Sequence, residues 1–449
     1  MSLHAYRAAL FHTLDDPSVS PEAAVYHADG LLVVEDGQVT AFGPHDDLRA
    51  TLPLDTPVTH FPGHLITPGF IDAHIHFPQT DVMAAWGARL LDWLENHTFP
   101  TEQAFVDRAH ADSAAAFFLD QLLANGTTSA LVFGSVHKTS VEALFEAALA
   151  RNMRLIGGKV LMDRNAPEGL TDTIERGRED TEALIRAWHG RGRLGYAVTP
   201  RFAVTSSPGQ LAMAGDIAAA HADILIHTHM SENTEEITRV AQLFPDAGDY
   251  LDVYARYGLV GSRSVFAHCV HSDDDALRRL AKAGASVAFC PSSNLMLGSG
   301  LFRLKRACAC GVNTALASDV GAGASFSMLS MMGEAYKVGQ LSGDALDPLH
   351  GFYLATLAGA RALHIEDRVG NLEPGKEADF LVLDLAATPL LARRTAGVAS
   401  LAETLFILSI LGDDRVVAHT FLAGRLAHSR NGVSGLAQDT AWQPITSPC

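Results

Sequence analysis

Between about residues 67 and 365 one pattern of apolar and polar positions recurs: an amphipathic helical stretch, a turn containing glycine, then a short apolar run rich in β-formers. In "FVDRAHADSAAAFFLDQLLANGTTSALVFG" the pattern predicts a helix that runs to Asn125, stops at Gly126 and gives way to a strand near 129–133. Further strands are expected at about 154–161, 194–199, 224–229, 265–269, 286–290 and 313–319. With the apolar run that ends at His76 they make eight, and eight βα units in roughly 300 residues predict an α/β fold, a TIM-type (β/α)8 barrel over 67–365. A doubly wound sheet is the competing fold, but no G-x-G-x-x-G follows the first strand, and polar residues gather at many strand ends.

The two ends of the chain carry a different pattern. "ADGLLVVEDGQVTAFGPH" (28–45) reads as a hairpin turning at Asp36-Gly37, while "GKEADFLVLDL" and "RVVAHTFLAGRLAHS" read as strands near the C-terminus. Neither end is long enough to build a sheet core alone. Residues 1–66 and 366–449 are therefore expected to combine into one smaller, β-sandwich-like domain beside the barrel.

Composition narrows the partners. A chain of 449 residues, 48% hydrophobic and 19% charged, can bury a large core. Its formal net charge of -18 repels phosphate backbones, so neither nucleic acid nor an acidic membrane is expected as a partner, and a small, weakly charged molecule suits it better. An apolar run of about 18 residues is absent, as is a basic segment followed by an apolar core at the N-terminus; a cytoplasmic location is expected. Five cysteines, an odd number, fit a reducing compartment, and the C-x-C at Cys308 and Cys310 reads as core or surface thiols.

The first barrel strand ends "PGFIDAHIH". Side chains at i and i+2 of a strand point the same way, so His74 and His76 project together, as half of a metal site or as a pair of satisfied polar residues. Other strand ends add to them: "TPRFAVTSS" after strand four, "LIHTHMSEN" on strand five, "FAHCVHSDDD" on strand six and "LASDVGAG" on strand eight. Two histidines, a later histidine and a carboxylate from different strands are expected to converge in one barrel mouth. Asp319, at the end of an apolar strand, would be a costly buried charge without a metal or hydrogen-bond partner.

"PGFIDAHIHFPQTD", "WLENHTFPTE", "TPRF", "HTHMSEN", "FCPSSNLMLGSGLF" and "SDVGAGASFSML" together resemble the guanine deaminases of the amidohydrolase superfamily, and the likeness spans nearly the whole chain. The resemblance implies that His74, His76, His229 and Asp319 bind one divalent metal, zinc first and iron as the alternative, with a position left for water. His227 is then a supporting or packing residue. Binuclear relatives carry a bridging lysine at the end of strand four; here Lys159 falls on strand three and Arg201 and Phe202 follow strand four, which favours a single metal. The unrelated base deaminases with H-x-E and P-C-x-x-C are excluded, because "FCPSSN" lacks the second cysteine.

The same resemblance implies hydrolytic deamination of guanine to xanthine and ammonia, in a homodimer. Asp319 takes the proton of the attacking water, Glu232 shuttles protons, and His268 holds the nucleophile and polarises the carbon. Gln79 and Arg201 read the polar edge of the purine, and Trp93, Leu94 and Phe202 wall its face. "WLENHTFPTE" is expected to be the loop that covers the base. Plainer roles compete: a helix N-terminal acid for Glu232, a salt-bridge partner for Arg201, helix core for Trp93, and His271 in place of His268. An amidohydrolase deaminase or chlorohydrolase acting on a related ring, 8-oxoguanine, a pterin or an aminotriazine, competes with guanine deamination, and a non-catalytic binding barrel is the reading from a different class.

Overall fold

The computed structural model describes residues 3–86 and 89–431. Strands alternate with helices through the middle of the chain, and the wholly buried strands are those without polar alternation, as expected where helices cover one face of a sheet and a barrel core the other. β5 (Phe70–His76) and β6 (Thr127–Phe133) are buried at every position. With β7 (Arg154–Gly158), β9 (Leu194–Pro200), β10 (Leu225–Met230), β11 (Ser264–His268), β12 (Ser286–Phe289) and β13 (Asn313–Leu316), they form a parallel series in the order β5-β6-β7-β9-β10-β11-β12-β13. β8 (Val160–Leu161) continues the third barrel strand after a break at Lys159 and pairs with β9. The ends of the series meet: Asp319 N donates to the His74 carbonyl at 3.0 Å, and His76 N to the Val320 carbonyl at 2.8 Å. The chain therefore adopts a TIM-type barrel. The helix before β6 spans Arg108–Ala124 and gives way at Asn125 and Gly126, as its sequence predicts.

The termini build one seven-stranded sheet, ordered β16-β15-β14-β4-β1-β2-β3. Its members are β1 (Leu3–Thr13), β2 (Ala24–Glu35), β3 (Gln38–Pro44), β4 (Val58–Pro68), β14 (Phe380–Asp384), β15 (Val417–Leu422) and β16 (Arg425–Ser429). Asp36 and Gly37, at φ 49° and 85°, make the turn between β2 and β3, the left-handed pair that matches strand twist. β4 lies between β1 and β14, so N- and C-terminal strands share one ladder, and Tyr6, Phe380 and Phe421 pack with ring centroids 4.3–5.2 Å apart. A single residue, Gly69, separates β4 from the first barrel strand.

Two arginines tie this sheet to the end of the barrel where strands begin. Arg154 Nη2 reaches Glu377 Oε1 at 2.5 Å, and Arg193 Nη2 reaches Glu377 Oε2 at 2.5 Å and Asp379 Oδ2 at 2.6 Å. The opposite end, where strands finish, is left open for chemistry. Among the described residues no helix is long and apolar enough to cross a membrane.

Candidate active site

At the carboxyl ends of the strands, the i,i+2 geometry of β5 puts His74 and His76 side by side. β10 brings His229 to them, and the turn after β13 brings Asp319. One ligand atom from each of these four residues lies within 4.8 Å of the others. His74 Nε2 and His76 Nε2 stand 3.2 and 3.5 Å from Asp319 Oδ1, and His76 Nε2 faces His229 Nε2 at 3.1 Å.

The second ring nitrogens show why these atoms converge. His74 Nδ1 lies 2.7 Å from His227 Nε2, and His229 Nδ1 lies 2.7 Å from the Arg201 carbonyl, which only accepts; His229 thus carries its proton on Nδ1 and presents a bare Nε2. Burial holds the imidazoles of His74, His76, His227 and His229 well below their ordinary pKa, so they are neutral. His74 Nε2 is buried without a hydrogen-bond partner. Three imidazole nitrogens and a carboxylate oxygen that converge within this distance are a donor set that fits a divalent metal. His227, on the same strand as His229, is the residue that touches the back of the His74 ring.

Beneath this cluster Asp72 accepts from Ser318 N at 3.0 Å, from the Ser318 hydroxyl, and from His74 N at 3.2 Å, pinning the first barrel strand to the last. Complete burial pushes its carboxyl up to about 7 against those bonds. Lys159 stays outside the cluster: its Nζ donates to the Val136 carbonyl at 2.6 Å and pairs with Asp172.

Beside the four ligand candidates lies a second group of buried polar side chains. His268 Nε2 faces Glu232 Oε2 at 3.5 Å and Asp319 Oδ2 at 3.8 Å, while its Nδ1 contacts Asn294 Oδ1 at 2.9 Å. Burial opposes protonation of His268, but the two carboxylates outweigh it and the pKa is raised. Burial is also the main influence on Glu232, whose carboxyl is pushed up to about 7 although His268 pulls the other way. The Ser299 hydroxyl donates to Glu232 Oε1 at 3.1 Å. Glu232 precedes the helix Thr234–Leu243, whose end is capped by Asn233 and Glu236. Glu236 Oε2 accepts from Glu232 N at 2.9 Å, so the cap also anchors the Glu232 backbone. His271 is turned away, with Nε2 on the Ser299 carbonyl at 2.8 Å.

Ser231, His268 and Asp319 have φ of 52°, 71° and 51°, the left-handed region that side-chain-bearing residues rarely occupy. Three such strand ends around one cavity are the kind of strain that collects at functional sites. Gly321 serves the same crowding: a Cβ there would come within 2.2 Å of the Gln79 carbonyl oxygen.

All the side chains expected to meet a substrate line this cavity: Gln79, Trp93, Leu94, Arg201 and Phe202, together with His76, His229, Glu232, His268 and Asp319. Leu90, Leu297 and Ala322 complete the wall without having been singled out. The covering segment is not a loop but a run of helical turns, Leu90–Trp93, Leu94–Thr98 and Phe99–Gln103. Its buried residues, Leu90, Trp93, Leu94, Thr98, Phe99 and Glu102, recur with helical spacing, and Pro100 falls in the first turn of the last helix, where proline is tolerated. Sequence reading passed over Glu102, Asn294 and Ser299. Glu102 lies in that helical segment and receives both Gln79 and Arg201; the signal for Asn294 was the Ser292-Ser293-Asn294 run after β12, and Ser299 lies beyond that run, between two glycines.

The sequence profile of the amidohydrolase family matches residues 65–427. The guanine deaminase of Escherichia coli (strain K12) is 50% identical over 419 residues, 93% of this chain and 95% of that protein. The solved structure of E. coli guanine deaminase superposes with a TM-score of 0.92 at 48% identity, covering 96% of this chain and 100% of that one. A guanine deaminase from C. acetobutylicum, solved with guanine in its active site, gives a TM-score of 0.85 at 28% identity, covering 94% and 99% of the two chains.

Proposed function

This chain belongs to the guanine deaminases of the amidohydrolase family, and from that premise we propose that it hydrolyses guanine to xanthine and ammonia. The observation that carries the reading is the meeting of Glu232, His268 and Asp319 at one wall of a cavity that also holds the three-histidine, one-aspartate cluster.

His74, His76, His229 and Asp319 are the residues that would hold the divalent ion the family implies, and we assign zinc on the strength of imidazole-rich, four-ligand chemistry. Such an ion supplies Lewis acidity that makes water a nucleophile near neutral pH. Asp319 has a second carboxylate oxygen facing the cavity side of His268, and it accepts the proton of the attacking water. His268, held by Asn294 on one nitrogen, orients that water with the other and polarises C2 of the base. Glu232, whose carboxyl burial pushes up to about 7, gives a proton to N3 as the carbon becomes tetrahedral, takes up the proton that Asp319 accepted and passes it to the departing amine, and is reprotonated by the C2 hydroxyl as the carbonyl forms. The balance is one water consumed, one C–N bond broken and one C–O bond formed. Gln79 and Arg201 bind the far edge of the base between Trp93, Leu94 and Phe202. The net charge of -18 suits a free base better than a nucleic acid, and we read the protein as a cytoplasmic homodimer divided at about residues 66 and 365 into sheet and barrel domains.

The test is turnover by zinc-loaded protein of guanine, adenine, 8-oxoguanine, a pterin and an aminotriazine, following ammonia and, for guanine, xanthine. Guanine is expected to have the highest kcat/KM. Turnover of another ring with none of guanine would keep the amidohydrolase chemistry and overturn the substrate.

A further inference from the structure

Glu102 takes no part in the proton transfers above, yet it is fully buried against both side chains assigned to the far edge of the base. Arg201 Nη1 donates to its Oε1 at 2.9 Å and Oε2 at 2.8 Å, and Gln79 Nε2 donates to Oε1 at 2.9 Å. Phe99, one turn earlier on the same short helix, sets its ring 5.6 Å from the guanidinium carbon. A carboxylate paired with a guanidinium only accepts hydrogen bonds. The Gln79 amide, which elsewhere could face either way, must therefore turn its nitrogen to Glu102 and its oxygen to the other side, where Gly321 N stands at 3.4 Å. Arg201, with Nη1 committed to Glu102, keeps its Nε and Nη2 hydrogens for other acceptors.

We propose that Glu102 is the positioning residue that sets ring specificity: it holds Gln79 with an acceptor, and Arg201 with donors, toward the substrate, so that the site selects a lactam edge. A lactam presents an N–H beside a C=O and matches that pair. An amidine edge, with a bare ring nitrogen beside an amine, meets acceptor with acceptor and donor with donor, and is rejected because buried polar groups are left unpaired. This inference rests on the guanine reading, since guanine carries the lactam at N1 and C6.

Guanine and 2,6-diaminopurine share the 2-amino group that leaves and have opposite N1/C6 edges. Their ratio of kcat/KM is independent of how much enzyme is folded. The wild type should favour guanine; Glu102→Gln, which can donate as well as accept, frees the Gln79 amide to turn, and the ratio should fall about tenfold or more, chiefly through KM for guanine. Glu102→Asp, acceptor-only again, should recover part of the preference. Wild-type turnover of guanine with an unchanged ratio in Glu102→Gln overturns the role of Glu102 alone, whereas a wild type inactive on guanine overturns the parent reading. If Glu102→Gln does not fold, Gln79→Leu, which leaves the Arg201–Glu102 pair intact, should lose the preference, and its retention there overturns the inference.

Discussion

The two ends of the barrel bury ionisable groups in opposite ways. Where the strands begin, Arg154 and Arg193 meet Glu377 and Asp379, two cations against two anions from a segment more than 180 residues away. Burial alone would raise the pKa of Glu377, but Arg193 and Arg154 outweigh it and hold the carboxyl below its ordinary value. Where the strands finish, neutral imidazoles and two carboxylates crowd one cavity, and His74 and His268 each bury an Nε2 without a hydrogen-bond partner. One end matches charge against charge and docks the terminal sheet, although Nε of Arg154 and of Arg193 is buried there without a hydrogen-bond partner. The other leaves donor atoms uncommitted and aimed at shared points, a cost to stability that suits a site meant to receive an ion and a substrate.

Four experiments break or sharpen that contrast. The largest effect is expected from stripping metal with a chelator: activity should fall more than about a thousandfold and return on adding zinc, since the four ligand atoms then lack their common partner. Activity that survives verified metal removal would separate the cluster from catalysis. Glu232→Gln should keep its metal and its melting temperature while kcat drops by roughly 10²–10⁴, the range for loss of a proton-transfer group; near wild-type kcat would remove Glu232 from the reaction.

At the other end the sign reverses. Arg193→Ala leaves Asp379 and part of Glu377 buried beside a hole, and equilibrium unfolding should show a loss of about 3–5 kcal/mol, with kcat/KM per folded molecule unchanged. A stable variant with impaired turnover would mean that the two ends are coupled. The smallest effect lies in the terminal sheet. His12, stacked on Phe42 at 4.1 Å, accepts from Leu372 N at 3.0 Å through its bare Nδ1, and burial drives its pKa down to about 4. Between the ordinary histidine value of 6.5 and about 4 the unfolded chain binds more protons than the folded one, so stability falls as pH drops through that window. His12 should account for about 2 kcal/mol of that loss by pH 5, and His12→Asn should flatten the pH dependence of unfolding by that amount.

The parts of the molecule legible in the sequence are those governed by neighbours along the chain. Apolar runs separated by helical periods mark the eight barrel strands. The i,i+2 spacing in "HIH" states that His74 and His76 share a side, and Asp36-Gly37 states a hairpin turn. The helical nature of 90–103 escaped because its turns are short and interrupted by Pro100, so local propensity does not reveal what packing over the barrel mouth imposes. His268 closes the apolar run "VFAH" and His271 lies beyond it, which favours His268 in the sequence; the structure adds the partners, Glu232 for His268 and the Ser299 carbonyl for His271.

The sequence by itself determined the barrel, the strand ends at which chemistry could sit, and the residue types available there, because side-chain periodicity and turn preference act over a few residues. Tertiary structure alone decided the partnerships: His227 behind His74, Asn294 behind His268, Ser299 on Glu232, and Glu102 between Gln79 and Arg201. Each joins positions more than 20 residues apart, and a hydrogen bond's partner is chosen by distances of a few tenths of an ångström that exist only once the whole barrel has closed.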